Sequence, residues 1–298
     1  MNSLPIKPRT RAGGFTLTEL MVSMGLVSGV SMMLISVLVS TMKLSSQNVV
    51  TNVSNYRTRQ TLDRMGQIVR FAQDTPVLIK ADGTVASGTT SDGILVKNAL
   101  GGPYVFKNAN GQADAEIPSG ANSFLVEFAP SAGVAAPQVG EYFLLALSTR
   151  PELEVTGVGT ASSAGAVSRV VITTKLSIGE TAKPGSYTVT GYRYRKEAYI
   201  FVQSGTQWDL RHYPKVTSTT NFTNPLGHKV LGTGFQKLGS QPWFTTTTDN
   251  GTQSSWLRAV ARSSNHKEYS ESRAKGKTLT SMPLQIKLWN YNAPPPPP

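Results

Sequence analysis

The chain has 298 residues, 29 Lys and Arg against 17 Asp and Glu, a net charge of +12 and no cysteine. That size admits one large domain or two small ones, and the missing cysteines exclude a disulfide framework and thiol chemistry. Charged residues make up only 15% of the chain, and Gly, Ser and Thr are abundant, which suits a secreted or surface-exposed β domain rather than a cytosolic enzyme. The basic balance makes nucleic acid and other anionic polymers partners to consider. The cations are nevertheless scattered, and Tyr192-Arg193-Tyr194-Arg195-Lys196 is their densest cluster.

Residues 1–14 carry Lys7, Arg9 and Arg11 and no acid, a flank of the kind that stays cytoplasmic. From Leu20 to Met42 no side chain is charged. At about 1.5 Å per residue, a helix over this run spans roughly 35 Å, enough to cross a hydrocarbon core of about 30 Å. Lys43 marks its far end, and Gly25 and Gly29 have the spacing that lets membrane helices approach closely. Glu19 stands alone at the mouth of the run. A carboxylate in lipid costs several kcal/mol at the centre and less near the edge. A positive charge arriving with another subunit would offset that cost. A secretory signal peptide has a shorter apolar core followed by small residues at its cleavage site. Here the small residues, Ala12-Gly13-Gly14, come before the run, so cutting after Gly14 leaves the helix on the mature chain.

The run Gly14-Phe15-Thr16-Leu17-Thr18-Glu19-Leu20 resembles the prepilin motif of type IV pilins and type II secretion pseudopilins. The resemblance implies cleavage between Gly14 and Phe15 by a prepilin peptidase, which also N-methylates the new Phe15 amine. It implies that Glu19 forms an assembly charge pair with the Phe15 amine of a neighbouring subunit. An α-amine is largely cationic at neutral pH. Opposite charges about 4 Å apart gain about 4 kcal/mol at an effective dielectric near 20, similar to the cost of placing the carboxylate in lipid. The implied partners are the peptidase and N-methyltransferase, other pilin or pseudopilin subunits, an inner-membrane assembly platform and lipid. The implied location is the bacterial inner membrane, single-pass, with the N-terminus cytoplasmic and the head outside, and then a pilus or pseudopilus. Thr18 departs from the aliphatic residue more usual there. No proline lies between Phe15 and Thr75, whereas many major pilins have one. The missing proline, the absent cysteine pair and the large head favour a minor component, most similar to W-type minor pilins or J-type pseudopilins.

The expected fold is α+β: a long N-terminal helix, half transmembrane and half amphipathic, packed on an antiparallel β-rich head. The expected boundaries are a leader at 1–14, a transmembrane and assembly helix at 15–43, its amphipathic continuation at 44–75, a head at 76–293 and a disordered proline tail at 294–298. Val49, Val53, Tyr56, Leu62, Met65, Val69 and Ala72 form one interrupted apolar stripe expected to pack in a core. Pro76 ends the helical pattern. Strands are expected at 77–80, 93–97, 104–107, 124–128, 142–147, 169–175, 187–192, 198–202, 256–260 and 284–288. Turns are expected at Asp82-Gly83, Asp92-Gly93, Asn110-Gly111 and Asn250-Gly251. Segments 130–140, 156–168 and 215–255 read as long surface loops. Two packed sheets are one arrangement of such strands.

No catalytic motif occurs in the head, and no enzyme activity, cofactor or metal is expected. His212, His228 and His266 lack metal-ligand spacing and read as surface or structural residues. Glu152 and Glu154 alternate along an extended segment and read as a solvated face, not an acid/base pair. Asp249-Asn250 reads as a turn rather than a calcium site. In Tyr192–Arg195, strand alternation places both tyrosines on one face and both arginines on the other. That pattern reads as one core face and one wet face, with a contact to single-stranded nucleic acid as the rival reading. The alternative to a pilin-like subunit is a non-polymerising, single-pass anchored protein whose basic head binds DNA or polysaccharide.

Overall fold

The computed structural model describes residues 14, 16–70, 72, 75–110, 115–182, 188–223, 227–237, 240–248, 255–263 and 282–288. It has an N-terminal apolar helix and a large antiparallel β head, so the class is α+β. Phe15, Asn250-Gly251, Asp249, His266 and the tail 294–298 lie outside the described residues.

The helix α1 runs Leu17–Arg70. Its residues fall into two units, one ending at Val53 and one beginning at Ser54. In the first unit, Leu17–Ser46 is long and apolar enough to cross a membrane, and none of its most apolar stretch is buried. In the second unit, Leu62, Met65 and Val69 are buried together with Ala72 and residues of the head. The expected single stripe is therefore corrected. Val49, Val53 and Tyr56 are exposed. Within the second unit the reason is helical arithmetic: at about 100° per residue, Leu62 lies roughly 240° on from Tyr56, so Tyr56 is turned away from the buried residues.

The head begins with β1 (Val77–Ile79), β2 (Thr90–Ser91), β3 (Gly93–Asn108) and β4 (Ser123–Phe128). It continues with β5 (Tyr142–Leu145), β6 (Glu152–Val158), β7 (Ser162–Ala164), β8 (Val167–Thr174) and β9 (Thr190–Ser204). The last strands are β10 (Gln207–Tyr213), β11 (Lys229–Gln236), β12 (Phe244–Thr248), β13 (Ser255–Ser263) and β14 (Met282–Leu288). Every pairing between these strands is antiparallel.

The pairings close on themselves. Strand β3 pairs β4, β4 pairs β8, β8 pairs β6, β6 pairs β5, β5 pairs β9, and β9 returns to β3. This ring is a six-stranded barrel. Its interior is filled by Tyr104, Phe106, Phe124, Phe143, Leu153, Val155, Val170 and Ile172 among others. The rings meet edge to face, Tyr104 and Phe106 each 5.1 Å from Phe143, the arrangement that aromatic quadrupoles favour. Gly191 leaves room for this packing, because a Cβ there would sit 2.6 Å from Phe106 and 2.9 Å from Leu145. Segments 117–121 and 178–182 pair with each other and add Ile117, Ile178 and Ala182 to the same core.

Strands β3 and β9 are long enough to serve two structures. Beyond the barrel, the start of β3 and the end of β9 join β1, β10 and β11 in a sheet. One face of that sheet contributes Ile94, Val96, Tyr199, Phe201, Leu210 and Phe235 to the core containing the helix residues. Its other face holds Ile79, Ala198, Ile200, Tyr213, Val216 and Phe222.

Several strand expectations change accordingly. Residues 93–97 and 104–107 belong to one strand whose pairing with β9 shifts register between Ala99 and Tyr104. Residues 187–192 and 198–202 likewise fall mostly within β9, which runs through the charged cluster without a break. The segment 156–168 contains the end of β6 and all of β7, and 215–255 contains β11 and β12. Thr245–Thr248 reads as loop by composition but pairs as strand, because β-branched threonine suits a pleated surface. Gly93 opens β3 rather than forming a turn, and the Asp92 carbonyl accepts the Phe201 N–H.

Candidate functional site at the helix start and the head around it

At the start of α1, Thr16 and Glu19 bond reciprocally. The Thr16 N–H and hydroxyl donate to Glu19 Oε2 at 3.0 and 2.9 Å. The Glu19 N–H donates to Thr16 Oγ1 at 3.3 Å. This is a capping box with Thr16 as N-cap and Glu19 at the third helical position, and it satisfies amides that have no partner inside the helix. The carboxylate also lies in the first turn, where the helix dipole favours negative charge. Gly14 is exposed two residues before the cap, and a Cβ there would touch nothing within 4 Å. Glu19 is exposed too. Of the three residues singled out for processing and assembly, the structure thus places Gly14 and Glu19 and leaves Phe15 undescribed. Thr16 was missed as the capping partner of Glu19. The Thr-x-x-Glu spacing ahead of an apolar run was the signal that could have found it.

The tyrosine and arginine run in β9 has a different role from either reading given above. Tyr194 is 1% exposed and stacks on Tyr142 at 5.6 Å, whereas Tyr192 is 47% exposed. Arg193 is buried, with its guanidinium 3.3 Å from Glu141, and it also donates to the Ala136 carbonyl. Arg195 reaches the other oxygen of Glu141, also at 3.3 Å. The run therefore has no simple core face and wet face, and two of its four side chains are withdrawn from any polymer. The cause is the position of β9. Alternate residues pass from Gly191 in the barrel, through Arg193, Arg195 and Glu197, to Tyr199 and Phe201 in the helix-side core. The polar residues fill the joint between the two apolar clusters.

His212 belongs to the same joint. Its Nε2 is 2.8 Å from Glu197, and its ring stacks on Tyr199 at 4.6 Å. Burial alone pushes the Glu197 carboxyl up, but hydrogen bonds from His212 and Asn98 outweigh it and hold the group below the usual range. His228 is pushed down by partial burial and by the Arg211 charge.

The segment 130–140 is fastened rather than free. Tyr104 donates its hydroxyl to Ala135 O at 2.7 Å, Gln138 N–H donates to Glu141 at 2.8 Å, and Val134 packs on the barrel core.

Glu152 is not on a solvated face. Its carboxylate is held between the Lys97 ammonium and that of Lys196, the latter at 2.9 Å. Burial raises its pKa, but the two lysines prevail and depress it to about 2. The Lys196 ammonium also lies 4.2 Å from the centre of the Tyr142 ring. Both Glu154 oxygens accept from the Ser218 N–H, at 3.3 and 3.2 Å. Lys97 and Lys196 are register partners on β3 and β9, and β5 carries the same surface on to β6. That alignment brings residues far apart in sequence onto one patch.

Among the described residues, no group of three or more His, Cys, Asp or Glu could hold a metal ion. No protein-family model, curated protein or solved structure matches the chain.

Proposed function

We propose that the chain is a pilin-like subunit. It is made as a precursor, cut between Gly14 and Phe15, methylated on the Phe15 amine, and built into a type IV pilus or a type II secretion pseudopilus as a minor, assembly-priming component. The observation that carries this reading is the motif Gly14–Leu20 set directly against an apolar helix with a single carboxylate at its mouth. The capping geometry adds support. Thr16 and its N–H hold Oε2 of Glu19, which fixes the carboxylate at the mouth of the apolar run. In this role the protein is a substrate of the peptidase and does no chemistry itself. The apolar segment anchors it in the inner membrane before assembly, with the head outside.

Mass spectrometry of the protein isolated from its own membranes tests the proposal. The expected N-terminus is N-methylated Phe15, and Gly14→Ala should retain the leader. A native chain that starts at Met1 overturns the reading. A processed chain that never co-purifies with other prepilin-derived subunits refutes the assembly step alone.

A further inference from the structure

The chain holds three Asn-x-Ser/Thr triplets, at Asn52, Asn221 and Asn250. That spacing marks acceptors of asparagine-linked saccharides in exported proteins. Such triplets also arise by chance in a chain rich in Ser and Thr, so geometry has to decide between them. Asn250 lies outside the described residues. Asn52 and Ser54 lie inside α1, where residues two apart do not face each other. Asn221 lies instead in the irregular segment between β10 and β11.

The middle residue of this triplet, Phe222, is buried, whereas Asn221 and Thr223 on either side are exposed. The Tyr213 hydroxyl donates to the Phe222 carbonyl at 2.9 Å, and the two rings meet edge to face at 4.9 Å. Pinning Phe222 inward holds its two neighbours at the surface. Asn221 Oδ1 accepts from the Thr223 N–H at 2.9 Å and from the Thr223 hydroxyl at 2.6 Å. This is an Asx-turn. Both bonds fall on the oxygen, and the Asn221 amide nitrogen donates to no described residue. Donation to the amide oxygen makes the N–H more acidic, and that proton must leave when the nitrogen bonds to carbon. Asn221 also borders a cleft of ≈ 310 Å³ lined by Lys215, Thr217, Thr219 and Thr220. Its wall is built by the Thr217 N–H to Thr220 Oγ1 at 2.8 Å and the Thr220 N–H to Thr217 O at 3.1 Å. Threonine hydroxyls both donate and accept, which suits the hydroxyls of a sugar.

We propose that Asn221 is a glycosylation site, with room beside it in the Thr-rich cleft for the first sugar. The donor is a saccharide carried on a lipid pyrophosphate, and a separate transferase catalyses the step. The Asn221 amide nitrogen forms a bond to the anomeric carbon. The bond from that carbon to the pyrophosphate oxygen breaks, and its electron pair leaves with the lipid pyrophosphate. One amide proton passes to a base of the transferase, and nothing is oxidised or reduced. The site rests on the part of the reading above that puts the head outside the membrane, and not on cleavage or assembly.

The test is glycopeptide mass spectrometry on the full chain isolated from its own membranes. Trypsin releases residues 216–229, which contain Asn221 and end at Lys229. The expected peptide carries a saccharide mass that electron-transfer fragmentation places on Asn221. Thr223→Ala should lose it, and Thr223→Ser, which keeps the hydroxyl, should retain it. Thr223 is exposed, so neither change disturbs the core. An unmodified peptide, a saccharide placed on one of the threonines, or full modification of Thr223→Ala overturns the inference. The same digest reports the N-terminus. A chain that begins at Phe15 with a bare Asn221 refutes the glycosylation and leaves the pilin reading standing, and a chain that begins at Met1 with a saccharide on Asn221 does the reverse.

Discussion

Glu19→Gln separates the helix cap seen in the structure from the charge pair proposed for this carboxylate. Its Oε2 caps the helix through Thr16, and in an assembled filament the charge would meet an amine. Glutamine also serves at the third position of a capping box, so the cap survives this change. The charge does not. In the proposed filament the lost attraction to that amine should lower incorporation on the order of a hundredfold. Glu19→Ala removes both the charge and the carboxylate half of the capping box. Thr16→Val keeps the N–H donor and the charge but loses the hydroxyl, which should reduce incorporation only about fivefold. The expected order is wild type, then Thr16→Val, then Glu19→Gln, with Glu19→Ala lowest. Quantitative immunoblots of sheared filaments, normalised to processed protein in the membrane fraction, give the ratios. Wild-type incorporation of Glu19→Gln would refute the charge argument. Equal loss in Thr16→Val and Glu19→Gln would show that the cap, not the charge, governs assembly.

Two further outcomes concern the head. The Glu152 carboxyl is held at about 2 in the folded head, below its ordinary value of 4.5, so its stabilising contribution is complete above about pH 4.5 and fades as pH falls towards 2. Denaturant unfolding of wild type and Glu152→Gln should differ by about 2 kcal/mol at pH 6, after allowance for solvent screening, and converge near pH 2; a gap that does not narrow on acidification contradicts the lysine clamp. Gly191→Ala would force a methyl against Phe106 and Leu145 in a filled barrel, costing about 1–3 kcal/mol. Pairing it with Phe106→Leu should recover part of that loss in thermal melts, and strict additivity of the two changes would argue against direct contact.

The helix start and the existence of most strands were legible because they depend on local pattern: an uncharged run, β-branched stretches and turn residues. The barrel was not, because its closure depends on pairings such as β9 with β5 and β8 with β4, which no local signal specifies. Glu152 shows the same limit at a single residue. Alternation correctly placed it on an extended segment, yet Lys97 and Lys196 that neutralise it lie 55 and 44 positions away. Arg193 looked like a surface cation for the same reason, since nothing near it in sequence announces Glu141. The helical stripe failed differently. The spacing within Leu62–Ala72 was sound, but the six-residue step from Tyr56 to Leu62 turns Tyr56 away from the face that is buried.

Strands β3 and β9 cross from the helix-side sheet into the barrel without a linker. A pull delivered through Leu62, Met65 and Val69 would therefore enter the same two polypeptide ribbons that form the barrel wall. With no flexible connector to take up slack, the load would fall on interstrand hydrogen bonds strained along the strand direction, and the two modules would yield together instead of one after the other.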